Sequence, residues 1–134
     1  MYRVTKTISF CYGHRLLNYD GKCRHLHGHN GRAEIVLSSK SLDIRGMVVD
    51  FGEVKEVVKS FIDSELDHRM ILCKKDPIIS ILKARKEPYF LMSENPTAEN
   101  IAKLIYDFAR SKNLPVISVR LWETDTSFAE YSDK

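Results

Sequence analysis

The sequence predicts an α+β domain in which an antiparallel sheet is covered on one face by two helices. Two observations carry this prediction. Strand-like alternation of apolar and polar residues occurs near both ends of the chain, and two stretches with apolar residues at three- and four-residue steps lie between them. Hairpins at both ends favour an antiparallel sheet with the order ββααββ. The length of 134 residues fits one domain spanning residues 1–134.

The N-terminal part predicts two strands separated by a loop. Residues 2–10 and 32–39 each alternate, so each presents one apolar face. Residues 11–31 hold four glycines and four of the five histidines, which is typical of a functional loop. Residues 46–51 are predicted to form a short third strand.

The middle of the chain predicts a long amphipathic helix. Asp50 is a good N-cap, and Glu53 stands three residues later, as in a capping box. Apolar residues then recur at helical spacing as far as Leu66. A short helical turn is expected within residues 77–86, and a short extended piece at residues 89–92.

The C-terminal part predicts a second long helix and a hairpin. The helix begins at residues 95–97, where proline suits the first turn, and ends at residues 113–115. Strands follow at 116–123 and 128–132. Because two helices cover only one face of the sheet, self-association is expected to bury the other face.

Composition excludes several classes of protein. The apolar fraction is 43% and the formal charge is +3, and the isoelectric point is near 8.7. Basic and acidic residues interleave, which suits an anionic small molecule better than nucleic acid. No apolar run approaches the roughly 20 residues of a membrane span. The N-terminus lacks the apolar core of a signal peptide, so we expect a cytoplasmic protein with free thiols at Cys11, Cys23 and Cys73.

The histidines predict a metal site. His27 and His29 are two residues apart, so in an extended segment their side chains point to the same side. His14 follows the first strand, which a hairpin places beside the second, and is the natural third ligand. Three histidines without a fourth protein ligand describe a catalytic zinc with an open position. His25 shares the alternation but is expected to be a loop residue.

Cys23 leaves two interpretations open. Its basic neighbours Lys22 and Arg24, together with a nearby dication, would lower the pKa of the thiol and make it a catalytic base or nucleophile. Alternatively, Cys23 is a fourth zinc ligand, which would make the site structural and closed. Cys11 could also reach a metal, although a structural thiol is the simpler interpretation.

Three further acidic or histidine side chains are candidates for catalysis. Asp67 could orient His68 for proton transfer, although adjacent side chains often do not face one another. Glu123 continues the apolar face of its strand. It is either buried and paired with a bidentate donor, such as an amino-pyrimidinone edge or an arginine, or it is solvated.

Six motifs in chain order resemble the 6-pyruvoyl-tetrahydropterin synthase family. They run from about residue 4 to residue 131 and read His14-Arg15-Leu16, Cys23-x-x-x-His27-Gly28-His29-Asn30, Val49-Asp50-Phe51, Leu66-Asp67-His68, Asn95-Pro96-Thr97-x-Glu99-Asn100 and Trp122-Glu123-Thr124. The three-residue gap between Cys23 and His27 resembles the bacterial queuosine-pathway branch.

The resemblance implies a fold, a reaction and roles for residues. The fold would be the tunnelling fold, with sheets from three subunits forming a barrel and two trimers stacking as a hexamer. The activity would be a zinc-dependent lyase converting 7,8-dihydroneopterin triphosphate to 6-carboxy-5,6,7,8-tetrahydropterin, acetaldehyde and triphosphate. His14, His27 and His29 would hold Zn²⁺. Cys23 would be the base, assisted by His68 and Asp67. Glu123 would anchor the pterin, with help from Thr97.

This interpretation has two alternatives, and the sequence departs from the usual residues of the family at several positions. A pyruvoyl-type sibling enzyme would release triphosphate without acetaldehyde, and a non-catalytic pterin-binding module would hold a structural zinc. The residues before His14 include Cys11 and Tyr12 where small residues are common in the family, and Gly31 stands where tyrosine is usual. Arg69 follows His68 where lysine is frequent. None of these departures removes a predicted ligand or the base.

Overall fold

A computed structural model describes residues 1–134 and has the predicted α+β architecture. Its six strands form one sheet in the order β4-β3-β1-β2-β5-β6. The strands are β1 (Tyr2–His14), β2 (His27–Ser39), β3 (Arg69–Cys73), β4 (Tyr89–Met92), β5 (Val116–Thr124) and β6 (Ser127–Tyr131).

The antiparallel pairing of β1 with β2 is the longest in the sheet. It runs without interruption from Tyr2 opposite Ser39 to His14 opposite His27. The prediction of a loop over residues 11–31 is therefore wrong at both ends. Both strands continue into polar residues because backbone pairing needs no apolar side chain once the register is set. Only a single 3-10 turn, Lys22–Arg24, interrupts the connection.

The sheet is mixed, so the expectation of an antiparallel sheet is only partly correct. β3 pairs parallel to the end of β1, and β4 pairs parallel to β3. The helices that precede these two strands allow each to run in the same direction as its neighbour, since parallel strands need a crossover connection. The run Arg69–Cys73 is too short for its alternation to be recognised in the sequence.

Three helices lie between the strands. Helix α1 is continuous over residues 51–65 and consists of Phe51–Val54, a π-helical turn at Lys55–Lys59, and Ser60–Glu65. Helix α2 is Ile79–Ala84, and helix α3 is Ala98–Ser111.

The two long helices begin at capping side chains, but Glu53 does not complete the predicted capping box. The Asp50 carboxylate accepts a hydrogen bond from the Gly52 N–H at 2.7 Å. The Thr97 hydroxyl accepts one from the Asn100 N–H at 3.1 Å. The predicted strand at residues 46–51 is wrong, since this segment bends into the Asp50 cap instead of pairing with the sheet.

The core lies between the two long helices and one face of the sheet. Side chains at alternate positions of β1, β2 and β5 are buried there against apolar residues of the helices. The rings of Phe61 and Phe108 stack at 4.1 Å and join α1 to α3. Burial of this single apolar layer is the main source of stability.

The opposite face of the sheet has no helix. Most of its residues on β2, β5 and β6 are polar or aromatic, and several contact one another across the strands. The Arg32 guanidinium lies 4.9 Å from the centre of the Trp122 ring, and the rings of Trp122 and Phe128 are 4.6 Å apart. This face is called the open sheet face below. No helix in the chain combines the length and the apolar character that crossing a bilayer requires.

A buried ion pair fixes the segment that follows β1. Arg15 contacts both carboxylate oxygens of Asp76, with 2.8 Å between Arg15 Nε and Asp76 Oδ2. The Asp76 side chain is 0% exposed and that of Arg15 is 22% exposed. The guanidinium holds the pKa of the Asp76 carboxyl below its usual range. Because Arg15 follows His14 directly, this pair also holds the end of β1 in place.

Replacing Arg15 with methionine is expected to destabilise the fold by about 3 kcal/mol, because Asp76 would keep a buried charge without a partner. Chemical denaturation at pH 7 measures this loss. Arg45→Met, which removes an exposed ion pair with Asp43, is the control and should leave the midpoint unchanged. Since the folded-state pKa of Asp76 is lowered, the pair's contribution is present above about pH 4 and disappears as the pH falls further. A difference that persists at pH 2 would contradict this account.

Candidate metal centre

Three imidazoles meet at the end of the β1–β2 hairpin. His14 and His27 are directly opposite each other in the register, and His29 lies two residues along β2 on the same face. One ligand atom from each of His14, His27 and His29 lies within 4.8 Å of the other two. The Nε2 atoms of His14 and His29 are 3.1 Å apart. The three histidines are placed to bind a single metal ion.

Two backbone carbonyls determine which ring nitrogen of His14 and of His27 faces the place where the three imidazoles meet. His14 Nδ1 lies 2.7 Å from the carbonyl oxygen of Pro96, and His27 Nδ1 lies 2.7 Å from that of His25. A carbonyl only accepts, so each Nδ1 carries the proton and leaves Nε2 with a free lone pair. This arrangement is common for metal-ligating histidines.

Two properties of the histidine side chains indicate that they suit a metal ion. His27 Nε2 is buried and has no hydrogen-bond partner, which is costly for a polar atom unless something binds it. Burial lowers the pKa of both His14 and His29. Both imidazoles are therefore neutral at pH 7, which is the form that binds a metal.

The carboxylate of Glu123 lies beside the imidazoles. Glu123 lies on β5, and its Oε2 atom is 3.5 Å from His14 Nε2 and 3.6 Å from His29 Nε2. Its side chain is 29% exposed, so it is partly buried and still reachable by a ligand. The sequence allowed Glu123 to be paired with a bidentate donor such as an arginine, or to be solvated. The structure places its carboxylate beside imidazoles, with no arginine partner.

Cys23 does not join the three imidazoles. It lies half-buried in the turn Lys22–Arg24, and its sulfur is not among the ligand atoms that gather within 4.8 Å. The geometry therefore favours an open site with three protein ligands over a closed one that includes the thiolate. His25 contributes its carbonyl to the centre, and its side chain is exposed.

The side chains of Asp67 and His68 contact each other, which their adjacency in the sequence did not guarantee. Asp67 Oδ2 lies 3.0 Å from His68 Nδ1, and Asp67 Oδ1 accepts a hydrogen bond from the Cys11 N–H at 2.9 Å. His68 adopts a left-handed backbone with φ of 58°, and its N–H donates to the Cys11 carbonyl at 2.6 Å. These bonds to β1 hold the side-chain pair in a defined position.

A cleft of about 740 Å³ connects His68 to the metal centre. Its lining includes His27, His29, His68 and Cys11. Cys23 and Asp67 do not line it. The structure thus brings His68 to the same opening as two of the imidazoles but leaves Cys23 outside it.

Three contributors were not recognised in the sequence. The carbonyls of Pro96 and His25 orient His14 and His27, and no sequence pattern reveals such backbone contacts. Tyr12 is buried with its ring centre 5.2 Å from that of His14 and 5.6 Å from that of His29. Its position two residues before His14, on the same face of β1, was the available signal. Thr97 uses its hydroxyl to cap α3.

Comparisons with known proteins agree with this fold. The family described as 6-pyruvoyl tetrahydropterin synthase matches residues 3–134. A protein of Rickettsia bellii named 6-carboxy-5,6,7,8-tetrahydropterin synthase is 36% identical over 137 residues, covering 97% of this chain and 99% of the relative. One of the same name from Haemophilus influenzae is 35% identical over 141 residues, covering 99% of this chain and 100% of the relative.

Solved structures show the same fold. An uncharacterized protein from Wolinella succinogenes superposes with a TM-score of 0.82 at 28% identity, covering 99% of this chain and 98% of the other. The 6-pyruvoyl tetrahydropterin synthase of Caenorhabditis elegans superposes with a TM-score of 0.75 at 23% identity, covering 99% and 96% of the two chains. The subunit fold that the family resemblance implies is confirmed, and the chain belongs to the 6-pyruvoyl tetrahydropterin synthase family.

Proposed function

We propose that this protein is a zinc-dependent lyase that converts 7,8-dihydroneopterin triphosphate to 6-carboxy-5,6,7,8-tetrahydropterin, acetaldehyde and triphosphate, as in queuosine biosynthesis. The observation that carries the proposal is the convergence of His14, His27 and His29 beside Glu123. The names of relatives at 35–36% identity over nearly the whole chain support the choice of reaction. The formal charge of +3 suits a triphosphate substrate.

Zinc is the metal that the donor set favours. Three neutral imidazole nitrogens with no fourth protein ligand are typical of catalytic zinc sites. Bound there, zinc supplies a Lewis acid that makes protons next to a substrate hydroxyl easier to remove.

The chain's own side chains would bind the pterin and move protons. The Glu123 carboxylate accepts hydrogen bonds from the N–H and amino groups of the pterin ring, for which its two oxygens are suited. Cys23 acts as the base that takes a proton from the substrate side chain. His68, oriented by Asp67 at 3.0 Å, passes that proton on. Thr97 would help hold the substrate, a minor role since its hydroxyl already caps α3.

We also propose that the protein works as a homo-oligomer. Within one chain, Cys23 lies outside the cleft that His68 lines. A proton relay that uses both residues therefore needs a contact between copies or a movement of the Lys22–Arg24 turn. The open sheet face, with Trp122 and Phe128 on it, offers a surface for such a contact. Barrel closure between three copies would bury it.

Metal binding provides the first test. His27→Ala removes a ligand, and we expect zinc affinity to fall by at least about a hundredfold, since two imidazoles bind zinc far more weakly than three. Isothermal titration of the metal-free protein with zinc measures this. His25→Ala, which removes an exposed imidazole two residues away, is the matched control and should bind zinc like the wild type. Equal affinity in both variants would contradict the assignment of His27.

The pH dependence of zinc binding follows from the pKa values of the ligands. The pKa values of His14 and His29 are lowered below the usual 6.5. These imidazoles are therefore neutral near pH 7 and release no proton when zinc binds. We expect zinc affinity to be nearly constant above about pH 7 and to fall as the pH drops below about 6.5 and protons compete for the imidazoles. Zinc titrations in a pH series measure this profile. A steep fall that starts above pH 7 would show that these imidazoles are not held neutral.

Product analysis tests the reaction and the base together. With 7,8-dihydroneopterin triphosphate, the zinc-loaded protein should release acetaldehyde in step with triphosphate, as detected by mass spectrometry. Triphosphate without acetaldehyde would indicate a pyruvoyl-type enzyme instead.

Cys23→Ala should reduce turnover at least about a thousandfold while zinc stays bound, because it removes the base and no ligand. Cys11→Ala, which removes the other thiol near the site, should keep most of the activity. Loss of zinc from Cys23→Ala would identify Cys23 as a ligand and support the non-catalytic alternative with a structural zinc.

Self-association can be tested on the open sheet face. Val36 lies on that face, paired with Ser118, and Val36→Asp would place a charge inside the expected contact. We expect this variant to be monomeric in sedimentation experiments and to keep its helix and sheet content. Ser64→Asp adds the same charge to the exposed surface of α1 and should not change the assembly. A monomeric wild-type protein would refute the proposal directly.

A further inference from the structure

Tyr12 carries a buried hydroxyl beside the metal centre. The residue is only 3% exposed, and its hydroxyl forms no hydrogen bond. Its ring lies against the imidazoles of His14 and His29. Buried hydroxyls are normally hydrogen-bonded, and a phenylalanine would fill the same space without the polar atom. A hydroxyl kept in this position therefore indicates a function at the metal centre.

The ring of Tyr12 extends from β1 across β2. Strand β2 lies between β1 and β5 in the sheet. The residue on β2 that the ring covers is Gly31, where an added Cβ atom would lie 2.8 Å from Tyr12 Cε1. That distance is too short for any real side chain. Gly31 is thus the residue that gives the tyrosine room to cross the strand.

The far side of β2 is occupied by Glu123. Arg32 pairs with Trp122 at the end of the β2–β5 register, and Glu123 is the next residue of β5. Glu123 Oε2 lies 3.5 Å from His14 Nε2 and 3.6 Å from His29 Nε2, and the Tyr12 ring lies against the same two imidazoles. Tyr12 is opposite His29 and Gly31 is opposite Phe10 in the β1–β2 register, so the Tyr12 ring reaches Gly31 diagonally, toward the strand that carries Glu123.

We propose that Tyr12 is a positioning residue whose hydroxyl donates to the Glu123 carboxylate and holds it in the orientation that binds the pterin, with Gly31 as the residue that makes this reach possible. The inference rests on the proposed function, since it assigns Tyr12 a role through the pterin-binding role of Glu123. The hydroxyl lacks a partner at hydrogen-bonding distance without ligand. The proposed bond forms when rotation of either side chain brings the hydroxyl to the carboxylate as the pterin binds.

The decisive variant is Tyr12→Phe, which removes the hydroxyl and keeps the ring. The probe is 7,8-dihydroneopterin, which lacks the triphosphate, and its binding to the zinc-loaded protein is measured by fluorescence. We expect its Kd to rise about tenfold, since a hydrogen bond to a charged acceptor is lost. Zinc affinity should stay within about threefold of the wild type. In turnover, KM should rise by a similar factor and kcat should change less.

Two further variants show whether the effect runs through Glu123. Tyr106→Phe removes another buried hydroxyl, which donates to Asp133 at 3.0 Å far from the site, and should leave pterin binding unchanged. Glu123→Gln weakens pterin binding by itself. Adding Tyr12→Phe to Glu123→Gln should then cost no more than about twofold, because the partner charge is already absent.

The outcomes separate this inference from the proposed function. If the zinc-loaded wild type does not bind dihydroneopterin, the proposed function fails and the role of Tyr12 fails with it. If the wild type binds and Tyr12→Phe binds equally well, only the role of Tyr12 is overturned. A parallel loss of zinc and pterin affinity would also overturn it, because Tyr12 would then serve as packing beneath the imidazoles.

The role of Gly31 is tested by stability alone, without ligand. Gly31→Ala should lower the melting temperature of the wild type by several degrees, because the added methyl group meets the Tyr12 ring. In a Tyr12→Ala background the same change should cost little, since the ring is absent. Equal effects in both backgrounds would show that Gly31 is not matched to Tyr12.

Discussion

The antiparallel pairing of β1 and β2 is the constraint on which the rest of this structure depends. Thirteen residue pairs in one unbroken register carry the hairpin from Tyr2 and Ser39 to His14 and His27. A slip of one residue would turn every side chain of one strand to the other face. The apolar core residues of the hairpin thus determine, many residues away, that His14 faces the same side as His27 and His29. Core packing and the ligand set are therefore specified together.

Burial then prepares these imidazoles for a metal. Partial withdrawal from water lowers the pKa values of His14 and His29, and carbonyl groups of Pro96 and His25 determine the orientation of His14 and His27. A neutral imidazole with a fixed tautomer loses little entropy when it binds an ion. The buried Nε2 atom of His27 has no hydrogen-bond partner, and burying it in this way lowers the stability of the folded protein.

The parallel edge of the sheet serves the site in a different way. β3 continues the sheet beyond β1, and the two residues just before it, Asp67 and His68, each form a hydrogen bond with the backbone of Cys11. This edge brings His68 to the cleft that His27 and His29 also line. On the other side of the hairpin, β5 brings Glu123 to the same imidazoles. Secondary-structure elements distant in sequence thus supply the parts of one site.

The sequence by itself determined the α+β class, the two long helices with their caps, and the three histidines that a hairpin could bring together. These features follow from local periodicity, capping chemistry and side-chain parity, which need no distant contact. Only the tertiary structure decided that the strands extend to the histidines, that the sheet edge is parallel, and that Asp67 contacts His68. It also placed Cys23 outside the cleft and Tyr12 across Gly31. These features depend on pairing between segments far apart in the chain, and such contacts leave no periodic pattern in the sequence.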